Sequence, residues 1–400
     1  MLGKVFFETF QEYKLWLQDI GATVRQNPSW EVDLFMGEEG QPYPEHCRAY
    51  FDSLVGIFED AGGTMLLETR VLDLITDAEG TIVGLKAKGP EGTSNIGAKA
   101  VILACGGFQS NSEMRLKYLG READLATVMG TPYNMGDGIR MAQKLGASLR
   151  GAFSTMSGSW AAAHPYKEPL TDPEVYEKAP YVAGAGSVDW LNSVSSVTVP
   201  SGAILVNLNG QRYVDEVAAY PRAHNSTLRQ LQAKGIVVYD KPLYDTVAPY
   251  HDITVEECFE GIREGGGFVV IADTMSQLAD DLAALPTPVH KANVLKTVAE
   301  YNAAIDAGKG AELEVARTGA ATKIESPPFY AIPVTVKIYA NFGGLAMNEY
   351  AQVLDSQNQP IPRLYACPPT AGGVMRSIYT GMIGCAGTFG WIAGQHAAAL

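Results

Sequence analysis

Apolar and polar positions along this chain follow two different periods. In residues 4–20 the apolar side chains Val5, Phe6, Phe10, Leu15, Trp16 and Ile20 recur at roughly helical spacing and stop before Gly21, which predicts an amphipathic helix. A second helix is predicted over residues 48–60. The stretch GGTMLLETRVLDLITDAEGTIVGLKAKG, residues 62–89, switches to strand-like alternation with a polar turn at Glu79-Gly80 and predicts three short strands. VILACGGF, residues 101–108, is a continuous apolar run closed by a diglycine, the form of a buried parallel strand whose C-terminal end meets a ligand. After a polar helix at residues 112–119, TPYNMGDGIRMAQKLGA predicts a loop and a helix begun near Asp137, whose carboxylate is placed to cap the first turn.

Residues 151–200 lose any long period and are rich in Ser, Pro, Tyr and Trp, as expected for the entry to an inserted, substrate-facing domain. His164 and Trp190 in this stretch read first as packing residues. GAILVNLNGQRYVDE, residues 202–216, predicts a hairpin about Asn209-Gly210. A helix at 226–233, a strand from Ile236 and a helix begun by Asp273 or Thr274 and closed before Pro286 follow. A further helix carries the stripe Leu295, Val298, Tyr301 and Ile305, and SPPFYAIPVTVK then brings the chain back. In residues 338–398 a diglycine, Gly343-Gly344, precedes the hairpin AQVLDSQNQPIPRLYA, which turns at residues 356–359. A second diglycine, Gly372-Gly373, leads to a small-residue run at 381–394 that suits a helix packed closely on a sheet or set with its N-terminus against a ligand.

Composition narrows the function. A chain of 400 residues holds two domains with separate cores, and 46% hydrophobic with 18% charged residues is globular. Its net charge of -14 disfavours nucleic acid and an anionic membrane surface as partners. The five cysteines, Cys47, Cys105, Cys258, Cys367 and Cys385, are scattered without CxxC spacing, which suits a reducing, cytoplasmic setting and neither a disulfide framework nor zinc. His46, His224, His251 and His290 fall into no metal-ligand spacing, so no metal is expected. Glu8 and Glu12 interrupt the first apolar pattern, which argues against a signal peptide, and no run reaches the roughly 20 apolar residues of a membrane span.

Taken in order, VILACGGF, GDGIRMAQKLGA, GAILVNLNGQRYVDE and the 338–398 block resemble the fumarate reductase and succinate dehydrogenase flavoprotein superfamily, which also contains the 3-ketosteroid dehydrogenases. The resemblance implies an α/β protein with a glutathione-reductase-like FAD-binding domain at residues 1–150 and 336–400 and an inserted α+β cap domain at 151–335. It implies FAD as cofactor, with the Val71 backbone at the adenine and Ala104, Cys105, Gly106 and Gly107 at a cofactor-contacting turn. Gly136, Asp137 and Gly138 then lie beside the isoalloxazine and ribityl chain. Gly343, Gly344, Tyr365, Ala366, Gly372, Gly373, Ile383 and Gly384 complete the implied set. Two departures stand out. No GxGxxG turn occurs in the sequence, so the FAD-binding domain reads as truncated at its N-terminal part. That leaves three readings: a truncated protein, a second polypeptide that supplies the element, or flavin bound weakly or not at all. Relatives also read LYAAGE or LYASGN where this chain has Leu364-Tyr365-Ala366-Cys367-Pro368-Pro369, and proline removes a backbone donor.

The substrate end departs from the fumarate reductase pattern at three positions. Tyr220 and Tyr379 stand where that pattern has arginines, and Ala340 where it has a carboxylate-binding histidine. Arginine offers a fixed cation with a bidentate fork, whereas a phenol is a neutral single donor at pH 7. Tyrosines therefore suit an uncharged ketone, as in the 3-ketosteroid dehydrogenases. By that resemblance Tyr379 and a nearby N–H such as that of Ile383 hold the ketone oxygen, and Tyr220 takes the adjacent proton with its pKa lowered by neighbouring donors or Arg222. Tyr43, in Tyr43-Pro44-Glu45, stands beside the base, and a hydride is exchanged with flavin N5. An unidentified electron donor or acceptor completes the expected partners. The alternatives are a reductase of a small unsaturated carboxylate using Arg222 or Arg376, and a flavin-free remnant or one part of a split flavoprotein. Against all of these stands the plain reading of Tyr220 and Tyr379 as pocket aromatics.

Overall fold

A computed structural model of the chain describes residues 1–22, 24–26, 34–36, 45–128, 131–162, 202–217, 222–247, 254–264, 266–319, 321–376 and 379–400, and the structural statements below concern these. They form two units: residues 1–114, 133–156 and 340–400, and residues 115–132 and 157–339.

The first unit is built on a three-stranded sheet in the order Gln352–Leu354, Pro360–Ala366, Val101–Leu103. The expected hairpin forms because Asp355 organises its turn: its carboxylate accepts the N–H groups of Gln357 and Gln359, each at 2.8 Å. The return strand pairs in parallel with Val101–Leu103, and Ala366 stands opposite Leu103, so both strands end at one level. Behind them runs the helix Met382–Ala398, held to the sheet where the Tyr365 hydroxyl and His396 Nδ1 lie 2.8 Å apart. The first helix, Leu2–Asp19, buries Leu2, Phe6, Phe10, Tyr13 and Leu17 on one face at i, i+4, i+7 spacing, while Leu15 and Trp16 of the expected stripe are exposed. Gly387 admits it, since a Cβ there would lie 2.1 Å from the Tyr13 hydroxyl.

A separate antiparallel meander, Arg70–Thr76, Ile82–Gly89 and Gly92–Gly97, corrects the expected strand boundaries. Two of the three strands fall inside residues 62–89 and the third follows them. Met65, Leu66 and Leu67 join no strand and are 45%, 59% and 72% exposed. Alternation favours a strand only where a neighbour takes up its backbone groups, and here the ladder begins at Arg70.

The second unit is organised by one long strand, Phe329–Asn341. Lys234–Asp240 and Val270–Ala272 pair antiparallel with it, Thr127–Val128 pairs in parallel, and Ile204–Val206 extends the sheet beyond Lys234–Asp240. Period-two alternation sorts its side chains onto two faces. Leu205, Val237, Tyr239, Tyr330 and Ile332 pack with Trp160, Phe259 and Ile262 on one side. On the other, Ile204, Val206, Ile236, Val238 and Ala331 meet Leu278, Leu282, Val294 and Val298 from the helices Met275–Ala283 and Lys291–Asp306. Thr274 caps the first of these helices by accepting the Gln277 N–H at 3.1 Å. The hairpin expected at 202–216 shrinks to a single bridge, Val206 to Arg212, because Ile204–Val206 pairs with Lys234–Asp240 instead. The helix expected at 226–233 starts earlier, at Arg222, and ends at Leu228; Gln232 beyond it takes φ 59°.

Glu216 closes this unit electrostatically. Its side chain is fully buried between two guanidinium groups, with Arg212 bidentate at 2.9 and 2.6 Å and Arg317 at 3.0 Å, and it also accepts the Leu205 N–H at 3.0 Å. A buried ion cluster adds little over an apolar substitute, but removing one partner leaves charge unpaired. Urea unfolding of Glu216→Ala is therefore expected to show a loss of about 3–5 kcal/mol. An unchanged midpoint would mean that the cluster carries no weight.

Candidate active site

In α/β sheets ligands gather beyond the C-terminal ends of parallel strands. Here those ends are Leu103 and Ala366, and the loops that leave them run through residues 104–108 and 367–373. Two more segments of the same unit meet them, residues 134–138 and 341–345. The contacts are specific. The Thr370 hydroxyl donates to the Gly106 carbonyl at 2.9 Å, the Gly136 N–H donates to the Gly107 carbonyl at 2.9 Å, and the Phe108 N–H donates to Asn341 Oδ1 at 2.9 Å.

Side chains at the glycines would break these contacts. An added Cβ would lie 1.9 Å from Asn134 Oδ1 at Gly106, 1.8 Å from Asn341 Oδ1 at Gly107, 2.4 Å from Cys105 Sγ at Gly138 and 2.5 Å from the Phe153 ring at Gly343. At Gly344 and Gly372 the obstacles are backbone: the Thr370 carbonyl oxygen at 2.4 Å and the Arg150 carbonyl oxygen at 2.1 Å. Gly106, Gly136 and Gly373 also take φ of 76°, 74° and 90°, which an L side chain rarely adopts. The glycines thus first serve loop-to-loop packing.

Beside these closed loops Ala104 and Cys105 are exposed, directly after the parallel strand end. This floor of short side chains fits the approach of a flat ring such as a flavin. Tyr365 and Ala366 lie fully buried under it. Val71, half-buried, pairs with Ala87 in the meander. Asp137 is corrected as a cap: Gly136 occupies the N-cap position, and the Asp137 carboxylate pairs with Arg70 at 3.0 Å and with Arg140. Burial pushes the Cys367 thiol up to about 12, so it is a packing thiol and no nucleophile.

Of the expected catalytic residues, Tyr379 is half-buried, and its hydroxyl oxygen accepts the Met382 N–H at 3.0 Å, at the first residue of the helix Met382–Ala398. Ile383 is 37% exposed in the same turn, and Arg376 is exposed on the loop before Tyr379. Gly384 is buried behind them. Ala340 is buried, at 2% exposure. Tyr220, Tyr43, His164 and Trp190 lie outside the described residues, and Arg222 opens the helix Arg222–Leu228 with its side chain outside the description. On that helix His224 is buried against Trp160, ring centroids 4.0 Å apart, and burial lowers its pKa to about 3, which keeps the imidazole neutral. Periodicity carries no mark of Asn134, Asn341 and Thr370, the polar residues that bind these loops across the sequence. The diglycine after Asn341 is the nearest sign of one of them.

The FAD binding domain family model matches residues 46–389. Among characterised proteins, the chain is 28% identical over 392 residues to a probable fumarate reductase of Shewanella frigidimarina (strain NCIMB 400), covering 96% of this chain and 58% of that protein. It is 26% identical over 381 residues to a 3-oxosteroid 1-dehydrogenase of Mycobacterium tuberculosis (strain ATCC 25618 / H37Rv), covering 84% and 60%. The solved open conformation of a flavocytochrome c3 fumarate reductase superposes with a TM-score of 0.67 at 25% identity, over all of this chain and 64% of that one. The chain thus spans somewhat over half the length of these relatives.

The backbone contacts at Gly344 leave nothing that can move aside. Gly344→Ala is expected to lose about 1–3 kcal/mol in chemical unfolding, whereas Gly97→Ala, where nothing lies within 4 Å, stays close to wild type. Equal stability of the two variants would count against the close-packed loop arrangement.

Proposed function

This chain belongs to the FAD binding domain family, and on that premise we propose that it is a flavin-dependent oxidoreductase acting on the carbon–carbon bond beside a ketone. The observation that carries the reading is the Met382 N–H donated into the Tyr379 hydroxyl. An amide bond into a phenol oxygen draws charge from it and makes its O–H a stronger donor. It also fixes that phenol at the positive end of a 17-residue helix, whose first-turn amides, Ile383 among them, have no carbonyl of their own helix to bond. A ketone oxygen received there gains stabilisation as it takes on enolate charge.

We assign cofactor binding to residues 1–150 and 336–400 and the substrate cap to 151–335. Ala104 to Gly107, Gly136, Gly138, Gly343, Gly344, Gly372 and Gly373 would hold FAD, which when bound supplies a two-electron partner for hydride exchange. Tyr379 orients the ketone, and Tyr220, assisted by Arg222 and Tyr43, is the residue proposed to carry the adjacent proton. Among the described residues Cys105, Cys258, Cys367 and Cys385 form no disulfide, which supports a reducing, cytoplasmic setting. Among the described residues no helix is long and apolar enough to cross a membrane.

Two observations bear on other readings. Arg376, exposed on the loop that carries Tyr379, favours a small unsaturated carboxylate as the second choice of substrate. The exposed Met65, Leu66 and Leu67 and, separately, Ile102, 37% exposed on the edge strand Val101–Leu103, support an additional strand–turn–helix element, supplied by a second polypeptide, that would complete the FAD site.

The test is turnover of a 3-ketosteroid against fumarate with FAD and an artificial electron acceptor or donor, for wild type and Tyr379→Phe. We expect the ketone to react and Tyr379→Phe to lower kcat by about 10²–10³-fold. Fumarate turnover insensitive to Tyr379→Phe would replace this reading by the second one, and a colourless protein inert toward both would point to the incomplete site.

A further inference from the structure

We propose that Asn341 is a positioning residue for the cofactor site, a single buried amide that holds three separate loops at their working spacing. The proposal rests on the flavin reading above. Asn341 is 2% exposed. Its Oδ1 accepts the Phe108 N–H at 2.9 Å, and its Nδ2 donates to the carbonyls of Gly343 and, at 3.5 Å, Pro369. One N–H and two carbonyls therefore face this side chain, and only an amide with its oxygen toward Phe108 answers all three.

The three partners lie on the segments that build the candidate site. Phe108 ends the loop leaving Val101–Leu103, Pro369 sits in the loop leaving Pro360–Ala366, and Gly343 belongs to the diglycine after the long strand. Gly107 is the counterpart of Asn341, because a Cβ at that position would lie 1.8 Å from its Oδ1. Thr370 ties the same turn from the other side through the Gly106 carbonyl. Leucine at 341 fills the volume without bonding anything. Aspartate keeps the shape and the bond from Phe108, but sets a carboxylate oxygen against two carbonyls.

Asn341→Asp distinguishes positioning from plain damage. Burial and the facing carbonyls raise the new carboxyl above its reference pKa of about 3.9. As the pH falls through that raised value the carboxyl regains a donating hydrogen, so affinity is compared at about pH 8 and about pH 5.5. FAD affinity of the full chain, read from quenching of flavin fluorescence, is expected to be at least about tenfold weaker than wild type at the higher pH and to recover toward wild type at the lower. A flavin-free measurement stands beside it. Hydrogen exchange in Asn341→Leu is expected to rise together in residues 106–109, 343–345 and 369–372. Wild-type affinity of Asn341→Asp at every pH, or faster exchange confined to the immediate neighbours of residue 341, would overturn the proposal. A wild-type chain that takes up no flavin removes the reading on which the proposal rests, and the exchange pattern then decides the loop clamp by itself.

Discussion

Everything in the first unit is conditioned by how closely its loops approach one another beyond the ends of two parallel strands. Val101–Leu103 and Pro360–Ala366 finish at the same level, and the chain leaving each must turn at once to make room for the other. Imagined Cβ atoms at Gly106, Gly107, Gly138 and Gly343 would lie 1.8 to 2.5 Å from neighbouring side chains, and those at Gly344 and Gly372 would lie 2.4 and 2.1 Å from backbone carbonyl oxygens. Glycine here costs conformational entropy, and the close packing of the loops offsets it. The polar groups exposed by such tight turning are met by Asn341, Thr370 and neighbouring amides, as buried backbone groups require.

The chemistry proposed at the edge of this unit rests on a different set of donors. A helix of 17 residues begins with amides that its own carbonyls do not reach, and one of them is spent on the Tyr379 phenol. The phenol so placed has its oxygen engaged by the first amide of the helix. An arginine in its place would bring a full charge and a preference for carboxylates. The exposed Arg376 lies three positions back along the chain.

Much of this was legible from residues alone. The hairpin at 352–366, the helix begun by Thr274, the helices at both ends of the chain and the diglycine turns all follow from periodicity and turn chemistry, because each is decided by neighbours within a few positions. Boundaries that depend on distant partners were not. The strand-like stretch expected over residues 62–89 takes in Met65–Leu67, yet the ladder starts at Arg70. The 202–216 segment reads as a self-contained hairpin, yet Ile204–Val206 bonds to Lys234–Asp240. Asp137 reads as a cap, but Arg70, far away in sequence, competes for its carboxylate. Asn341 is the clearest case, since its partner at Phe108 is separated by 233 positions and nothing local marks the pair.

The exposed Met-Leu-Leu run has a colloidal consequence. Three large exposed apolar side chains in a row favour contact between molecules. The surplus of 14 negative charges acts in the opposite sense, since like-charged molecules repel over roughly a Debye length of about 8–10 Å. Added salt shortens that reach without touching the apolar run, so the balance between dispersal and clumping of this chain is set by ionic strength.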